Sequence, residues 1–459
     1  MSFMSINPAT GERLAEFGEW SDSQLENALS EAAAAAPQWA ALPMAERCRR
    51  VRRAGAIMSE RREQLARVVT GEMGKLYREA LAEVDKCVSV CDYYADRGPE
   101  FLADEVIASD AGRSFVAYEP LGTVLAVMPW NFPLWQVMRF AAPALVAGNT
   151  GLLKHASNVP HCALLLEEVF RDAGVPPGVF RTLMISSRRV AGVIEDDRVH
   201  AVTLTGSEFA GRQVAGCAGA ALKKTVLELG GSDAFVVLAD ADLEEAVATA
   251  AASRYLNAGQ SCIAAKRFIV VAEVADEFVA RFKAVVEALT PGDPMAAATT
   301  LAPMARRDLR DELHDQVRTS LAQGAVAVTG CAPLDGPGAF YQASIIDRVT
   351  PGMLAYDDEL FGPVAIVIRA RDEADAVRIA NDSRFGLGGS VWTADVARGE
   401  LLARQIQSGA VFVNGLVKSD PRLPFGGVKH SGYGRELGHH GIREFVNAKT
   451  IWVRAHRPL

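Results

Sequence analysis

Cysteine and histidine are too sparse and too scattered in this 459-residue chain to suggest a metal or redox centre. Seven cysteines are present, and no two form a C-x-x-C pair, which argues against a zinc ribbon or a thioredoxin-type site. The eight histidines also lack metal-ligand spacing. We therefore expect reduced thiols, most of them buried as small apolar side chains, and no bound metal.

The chain also lacks an excess of positive charge. Its 48 basic and 56 acidic side chains give a formal net charge of −8, which makes nucleic acids and anionic membranes poor candidate partners. The N-terminus shows neither the basic region nor the apolar region of an export signal. These features predict a cytoplasmic protein that acts on a small molecule.

One uncharged stretch, residues 120–138, is long enough to raise the question of a membrane span. It contains three prolines and a central Asn131, which argue against a spanning helix. We expect a buried strand followed by a turn.

The periodicity of apolar residues predicts an α/β fold. Near the N-terminus it predicts helices, the first capped by Asp22 and ended by Pro37, and after residue 114 strands begin to alternate with helices. Such alternation is typical of a doubly wound parallel sheet. The predicted helices are 22–36, 45–69, 75–97, 160–173, 189–194 and 208–221, and the predicted strands are 114–127, 150–154, 180–185, 199–204 and 225–229.

A second α/β region is predicted after Gly231. No repeat and no linker rich in Gly, Ser or Pro separates it from the first, so we expect tight interfaces. Its predicted strands are 234–238, 267–271, 325–328, 364–368, 411–414 and 451–453, and its predicted helices are 243–255 (capped by Asp242), 275–289 and 373–382.

Two strand ends in the first region carry residues suited to phosphate binding. Gly206 and Ser207 stand between a strand and a helix, where glycine permits a tight turn and a helix N-terminus attracts anions. The spacing is neither G-x-G-x-x-G nor a Walker loop, so a plain turn is the alternative. Lys154 ends another strand and can bind phosphate or ribose hydroxyls, or lie on a solvated face, with Ser157 as an N-cap.

Three other residues have the chemistry of acyl transfer. Cys262 follows a glycine-containing turn and can be a nucleophile, although most cysteines are buried apolar groups. Glu228 ends a strand and can act as a base on water, or be a surface carboxylate. Asn131 lies between two prolines and can stabilise an oxyanion, or cap the following helix.

Taken together, these motifs resemble the aldehyde dehydrogenase superfamily over essentially the whole chain. Cys262 stands 34 residues after Glu228, as in that family. The shared motifs are NPATG at residue 7, PWNFP at 129, the strand-end Lys154, TGS at 205, ELGG at 228, GQSC at 259, ExFGP at 359 and PFGG at 424.

The resemblance implies roles for the residues in these motifs. Cys262 is the nucleophile that forms a thiohemiacetal and then a thioester, Asn131 and the Cys262 backbone N–H form the oxyanion hole, and Glu228 activates the hydrolytic water. A glutamate at 228 favours hydrolysis over transfer to coenzyme A. The cofactor is bound by Trp130, Lys154, Ser157, Gly206, Ser207, Glu359 and Phe361.

The identity of residue 157 bears on the cofactor. Members of the family that favour NAD often carry a glutamate at this position, which would repel a 2′-phosphate. Ser157 can donate a hydrogen bond instead, and we expect His155 to add positive charge. The resemblance therefore predicts that NADP is preferred over NAD.

The string WQVMRF at residue 135 resembles the bacterial succinate-semialdehyde dehydrogenase branch. Arg139 and Ser419 are the candidates for binding the distal carboxylate of succinate semialdehyde, with a helix-surface ion pair as the alternative for Arg139. Ala264 stands where some relatives have a second cysteine, so no disulfide switch is expected. Other short aldehydes, such as glutarate semialdehyde or lactaldehyde, and a catalytically idle family member remain alternatives.

The resemblance also predicts the domain layout. Residues 1–103 and 123–230 form the dinucleotide-binding domain, and residues 231–430 form the catalytic domain. Residues 104–122 and 446–459 form a β arm that pairs subunits, so a homodimer or homotetramer is expected.

Overall fold

The computed structural model describes residues 2–454. Over that range the strands are β1 (Ser2–Ile6), β2 (Arg13–Gly18), β3 (Glu105–Val106), β4 (Arg113–Pro120), β5 (Thr123–Met128), β6 (Thr150–His155), β7 (Phe180–Thr182), β8 (Ala201–Thr205), β9 (Lys224–Glu228), β10 (Asp233–Val237), β11 (Ala265–Val271), β12 (Val326–Thr329), β13 (Ser344–Asp347), β14 (Val364–Ala370), β15 (Gly388–Trp392), β16 (Ala410–Val413), β17 (Gly432–Tyr433) and β18 (Val446–Val453). The α-helices are α1 (Asp22–Ala40), α2 (Met44–Glu60), α3 (Arg62–Met73), α4 (Tyr77–Phe101), α5 (Trp135–Ala147), α6 (Pro160–Asp172), α7 (Val190–Glu195), α8 (Glu208–Ala220), α9 (Leu243–Tyr255), α10 (Ala272–Glu287), α11 (Arg307–Ala322), α12 (Leu354–Asp357), α13 (Glu373–Asn381), α14 (Val396–Ala403) and α15 (Gly438–Arg443).

The first large sheet has the order β17-β9-β8-β5-β6-β7. Strands β5 to β9 run parallel, and β17 joins the edge antiparallel to β9. The carboxyl ends of β5, β6, β8 and β9 therefore share one edge, where ligands bind in doubly wound sheets. The tail segment that contains β17 returns to this sheet although it follows the second region in sequence.

The second large sheet has the order β12-β13-β14-β11-β10-β15-β16, and all its pairs are parallel except β12 with β13. Its five inner strands are almost wholly buried, with apolar clusters on both faces, while the edge strands β12 and β16 are partly exposed. Parallel strands covered by helices on both faces carry near-continuous apolar runs, which is why they were recognisable in the sequence. The predicted α/β fold with parallel sheets is confirmed.

A separate three-stranded antiparallel sheet has the order β18-β4-β3. β18 pairs with β4 over its whole length, from Val446 opposite Pro120 to Val453 opposite Arg113. Val106 on the edge strand β3 and Trp452 on β18 are exposed. These strands lie in the two segments predicted to form the arm, of which residues 455–459 are outside the described range.

The N-terminal helix differs from its prediction at both ends. Ser21, not Asp22, is the N-cap, and Ser21 and Gln24 form a reciprocal capping box. The helix continues through Pro37 to Ala40. A proline removes one backbone donor, but here the last turn buries Trp39, whose indole N–H donates to the carbonyl of Leu145 over 2.9 Å.

Other boundaries were wrong for local reasons. The predicted helix 45–69 is two helices, α2 and α3, because Arg61 between them leaves helical geometry. The central strand β15 was missed because it begins with Gly388 and Gly389, which have low strand propensity. Helices α11 and α14 and strand β13 were also missed.

The uncharged stretch 120–138 forms β5, a turn and the start of α5, all largely buried. Within residues 2–454, no helix is both long enough and apolar enough to cross a membrane.

Candidate active site

A cavity of about 490 Å³ lies between α4, α5 and the loop that precedes β11. Cys262, Arg139 and Ser419, which the sequence predicted to act on the substrate, all line it, together with the aromatic side chains of Phe132 and Trp135. Residues separated by more than 250 positions in sequence therefore meet around the candidate nucleophile.

The loop that carries Cys262 has unusual backbone geometry. Asn257 and Ala258 have left-handed conformations, with φ of 55° and 52°, and Gly259 follows with φ of 74°. A Cβ atom at Gly259 would lie 2.2 Å from the carbonyl oxygen of Gly362, so only glycine fits there. Left-handed non-glycine residues cost energy and persist where the surrounding structure holds them, often at functional sites.

Arg254 connects this loop to the segment that contains Glu359. Its buried guanidinium donates to the carbonyl oxygens of Gly259 (2.9 Å) and Leu360 (3.3 Å), and also to that of Gly362. Because one rigid fork binds carbonyls from both segments, the cysteine loop and the Glu359 segment are held in a fixed relation.

Asn131 is buried against the cysteine loop. Its side-chain Nδ2 donates to the backbone carbonyl of Gln260 over 3.1 Å, and its backbone carbonyl accepts from Asn257 Nδ2 over 2.8 Å. The capping alternative is wrong, since helix α5 has Leu134 as its N-cap and no side-chain cap. The side-chain amide predicted for the oxyanion hole is thus held by a hydrogen bond to Gln260, two residues before Cys262.

Cys262 lines the cavity and is partly exposed as a residue, unlike the buried Cys48, Cys87, Cys91 and Cys162. Burial raises the pKa of the Cys262 thiol to about 11, while the positive charges of Arg139 and Lys266 oppose this rise. Lys266 Nζ donates to the carbonyls of Ser261 (2.8 Å) and Cys262 (2.9 Å). The thiol is therefore protonated in this state, with two cations placed to favour the thiolate.

Glu228 ends β9 beside the cavity rather than in it. The residue is 2% exposed, and within the described residues neither carboxylate oxygen has a hydrogen-bond partner. Burial and then the negative charge of Glu436 raise the pKa of Glu228 well above its usual value. The site of a Cβ at Gly426 is 2.7 Å from Glu228 Oε1, so glycine gives this carboxylate its room.

Arg139 lies at the boundary between Glu228 and the cavity. Its guanidinium forms a buried ion pair with Glu436 and lies 4.5 Å from the ring centroid of Phe425. Arg139 Nη2 is 3.3 Å from Thr205 Oγ1. The alternative of a surface ion pair is wrong, because both partners are almost fully buried, although its role toward a substrate stays a prediction.

Three of the predicted cofactor residues gather near the cysteine loop. The rings of Trp130 and Phe361 meet edge to face, with centroids 5.9 Å apart. Glu359 Oε1 accepts from the Gly231 backbone N–H (3.2 Å) and pairs with Lys266 Nζ (3.0 Å).

The other four lie at the carboxyl edge of the first sheet. Lys154 is the penultimate residue of β6, and Ser157 lies two residues after the end of that strand. Gly206 and Ser207 join β8 to α8, where Ser207 caps the helix by accepting from the Ala210 N–H. Adjacent strand ends and a helix N-terminus form the setting in which dinucleotide phosphates bind.

The expectation for His155 was wrong. The ring is buried, and its Nε2 lies 2.8 Å from the carbonyl oxygen of Pro133. Burial lowers the pKa of His155 to about 4, so it is neutral at pH 7 and adds no positive charge toward a 2′-phosphate.

Several residues of the site were not predicted from the sequence. Arg254 and Lys266 flank the cysteine loop in sequence, and their charge within apolar segments was a signal that could have drawn attention to them. Asn257, Glu436 and Lys86 gave no local signal, because their importance depends on contacts with distant segments.

Known proteins resemble this chain over nearly its full length. The sequence profile of the aldehyde dehydrogenase family matches residues 1–451. A probable succinate-semialdehyde dehydrogenase (NADP+) of Synechocystis sp. is 50% identical over 453 residues, covering 99% of this chain and 100% of that protein. A succinate semialdehyde dehydrogenase (NAD(P)+) of Escherichia coli is 49% identical, covering 98% and 97%. The solved structure of succinic semialdehyde dehydrogenase from Streptococcus pyogenes in complex with NADP+ as the cofactor is 40% identical, with a TM-score of 0.97 and coverage of 99% and 100%.

Proposed function

This chain belongs to the aldehyde dehydrogenase family, and we propose from that premise that it oxidises succinate semialdehyde to succinate with NADP+. The observation that carries the proposal is the cavity that Cys262 lines together with cationic side chains, on a loop to which the Asn131 amide is hydrogen-bonded. The names of relatives that are about half identical to this chain support the same substrate and cofactor.

The first half of the reaction uses the cysteine loop. Cys262 Sγ attacks the aldehyde carbon, and Asn131 Nδ2 and the Cys262 backbone N–H donate hydrogen bonds to the oxygen that becomes negative. Lys266 and Arg139 favour the thiolate over the thiol. Bound NADP+ would supply the hydride acceptor for this step, and Cys262 holds the resulting acyl group as a thioester.

The second half of the reaction uses Glu228. A water molecule attacks the thioester carbon, and the Glu228 carboxylate accepts a proton from it. Glu228 lies beside the cavity, so this step requires its side chain to turn toward Cys262. Sulfur leaves as the thiol or thiolate, and succinate is released.

The residues present fit NADP+. Ser207 at the N-terminus of α8 and Lys154 at the end of β6 suit phosphates and ribose hydroxyls. Ser157 presents a neutral hydroxyl where a carboxylate would repel the 2′-phosphate. Trp130, Phe361 and Glu359 bind the nicotinamide end, close to the cysteine loop.

Introducing a negative charge at residue 157 is expected to reverse the cofactor preference. In Ser157→Glu, repulsion of the 2′-phosphate lowers kcat/KM for NADP+ by about 30-fold, while the value for NAD+ stays constant or rises. Steady-state kinetics with both cofactors at saturating aldehyde measure the ratio. The neutral variant Ser157→Gln is the matched control, and an unchanged ratio in Ser157→Glu contradicts the assignment.

Loss of Arg139 is expected to affect aldehydes with a distal carboxylate most. In Arg139→Ala, KM for succinate semialdehyde rises about 10-fold or more relative to KM for hexanal, because a charged hydrogen-bond donor is removed. Glu436 also loses its ion-pair partner, which lowers kcat for both aldehydes, so the KM ratio isolates the substrate contact. Arg139→Lys keeps a charge beside Glu436, and equal KM changes for both aldehydes would remove the assignment.

The rate of NADPH formation across a panel of aldehydes tests the proposal as a whole. The expected order places succinate semialdehyde above butanal and hexanal. If glutarate semialdehyde or lactaldehyde is oxidised faster than succinate semialdehyde, that aldehyde becomes the proposed substrate. If no aldehyde yields NADPH, the protein is an inactive family member.

Subunit pairing and location also belong to the proposal. The strands β3 and β18 are both edges of the small three-stranded sheet, and exposed edges of this kind favour pairing with another subunit. We propose a homodimer or homotetramer that resides in the cytoplasm.

A further inference from the structure

The charged side chains around the cavity differ in whether they already have a partner. Those that line it are Arg78, Glu79, Glu83, Lys86, Arg139 and Lys418. Arg139, which the proposed function assigns to the distal carboxylate, shares its charge with Glu436, so a second cation whose charge is not already compensated adds to the attraction.

Most of these groups are engaged elsewhere. Glu83 pairs with the buried Lys75, and its other oxygen accepts from the backbone N–H groups of Leu134 and Trp135. Arg139 pairs with Glu436.

Of the remaining four, three are also poor candidates for binding a carboxylate. Arg78 Nη1 donates to the carbonyl of Thr299 over 2.7 Å. Glu79 accepts from the Asn257 N–H over 3.2 Å, and burial raises the pKa of Glu79 to about 7. Lys418 is exposed to solvent, which screens its charge.

Lys86 is the exception. Its Nζ donates to Ser419 Oγ over 2.6 Å and lies 4.3 Å from the ring centroid of Trp135. Within residues 2–454, no carboxylate lies within ion-pair distance of it. An ammonium group has three donors, so at least one beyond the bond to Ser419 is free for a ligand.

We propose that Lys86, together with the Ser419 hydroxyl, binds the distal carboxylate of the aldehyde substrate and is a specificity-determining residue of this enzyme. This inference rests on the proposed function, since it assigns the recognition of that substrate. The substrate carboxylate supplies the anion that this ammonium group lacks, at a site where partial burial strengthens the attraction.

The burial of Lys86 also supports its assignment as the ligand of the substrate carboxylate. Burial lowers the pKa of Lys86 to about 8, and the charge of Arg139 acts in the same direction. A buried ammonium group without a counter-ion is destabilised, and an anionic ligand relieves this penalty. Lys86 and Cys262 line the same cavity, so one short molecule can engage both.

The test compares succinate semialdehyde with butanal, which has the same number of carbon atoms and no carboxylate. In Lys86→Met, the ratio of kcat/KM for succinate semialdehyde to that for butanal is expected to fall by about 30-fold, mainly through KM. Lys86→Arg keeps the charge and should retain the ratio within about threefold. The control Lys418→Met removes a positive charge that is exposed, and should change the ratio by less than about threefold.

The outcomes separate this inference from the proposed function. If the wild-type protein does not prefer succinate semialdehyde to butanal, the proposed substrate is wrong and the role of Lys86 falls with it. If the wild type has the preference and Lys86→Met retains it, Lys86 alone is wrongly assigned.

An equal loss in Lys418→Met would also overturn the assignment, since general electrostatic attraction would then explain it. Should Lys86→Met fail to fold, Lys86→Gln removes the charge while keeping a donor toward Ser419, and the same ratio decides. Inhibition of butanal oxidation by succinate gives a second readout, expected to weaken about 30-fold in either variant.

Discussion

Replacement of Cys262 by alanine is expected to lower NADPH formation from succinate semialdehyde by about 10⁴-fold or more, because no other thiol lines the cavity within the described residues. The loss appears in kcat, since the step that requires the sulfur is removed. Cys262 lines the cavity and is partly exposed as a residue, so the substitution leaves no fully buried void.

The matched control is Cys217→Ala, which removes the thiol of another partly exposed cysteine that does not line the cavity. It should retain activity within about twofold, as a surface substitution does. Binding of NADP+ to Cys262→Ala, measured by calorimetry, should remain close to that of the wild type. Activity of Cys262→Ala within tenfold of the wild type would show that another group performs the attack.

Replacement of Glu228 by glutamine is expected to leave the first half of the reaction and block the second. One equivalent of NADPH per active site should appear in a burst, followed by a steady rate about 10²- to 10⁴-fold below that of the wild type, since the general base is gone. Rapid mixing records the burst, and mass spectrometry of the quenched protein should detect an acyl group on Cys262. The double variant with Cys262→Ala should show no burst.

The rate of thioester hydrolysis by the wild-type protein should depend on pH through the ionisation of Glu228. Because burial raises its pKa well above the usual value, the carboxyl keeps its proton to a higher pH than an ordinary glutamate does and becomes a base only as pH rises. Hydrolysis of the thioester should therefore accelerate with increasing pH up to that raised pKa, and Glu228→Gln should lack this rise. A steady rate without a burst, or a pH profile shared by both proteins, would contradict the role of Glu228.

Two buried carboxyls, Glu228 and Glu436, share the charge of Arg139. Burial raises the pKa of each, and the negative charge of Glu436 raises that of Glu228 further. Arg139 pairs with Glu436, whereas Glu228 has no ion-pair or hydrogen-bond partner for its carboxyl among the described residues. This arrangement favours the neutral form of Glu228, and neither local sequence indicates it.

The sequence predicted what depends on local pattern and on motif identity. Apolar periodicity predicted the parallel strands, and the motifs around Asn131, Glu228 and Cys262 predicted the family and its chemistry. Local reasoning failed where the decisive contact came from another segment. Pro37 lies inside a helix whose last turn is held by Trp39, and His155 is neutral because segments distant in sequence bury its ring.

The residues that can react were therefore evident from sequence alone, because a thiol, an amide and a carboxyl carry their chemistry in their side chains. Their state was decided only by the tertiary structure. Whether a charge is paired, buried or free depends on groups brought from distant segments, since electrostatic free energy depends on distance and on the local dielectric. This is why Arg139 proved to be partnered by Glu436, while Lys86, which no motif marked, faces the cavity with its charge available.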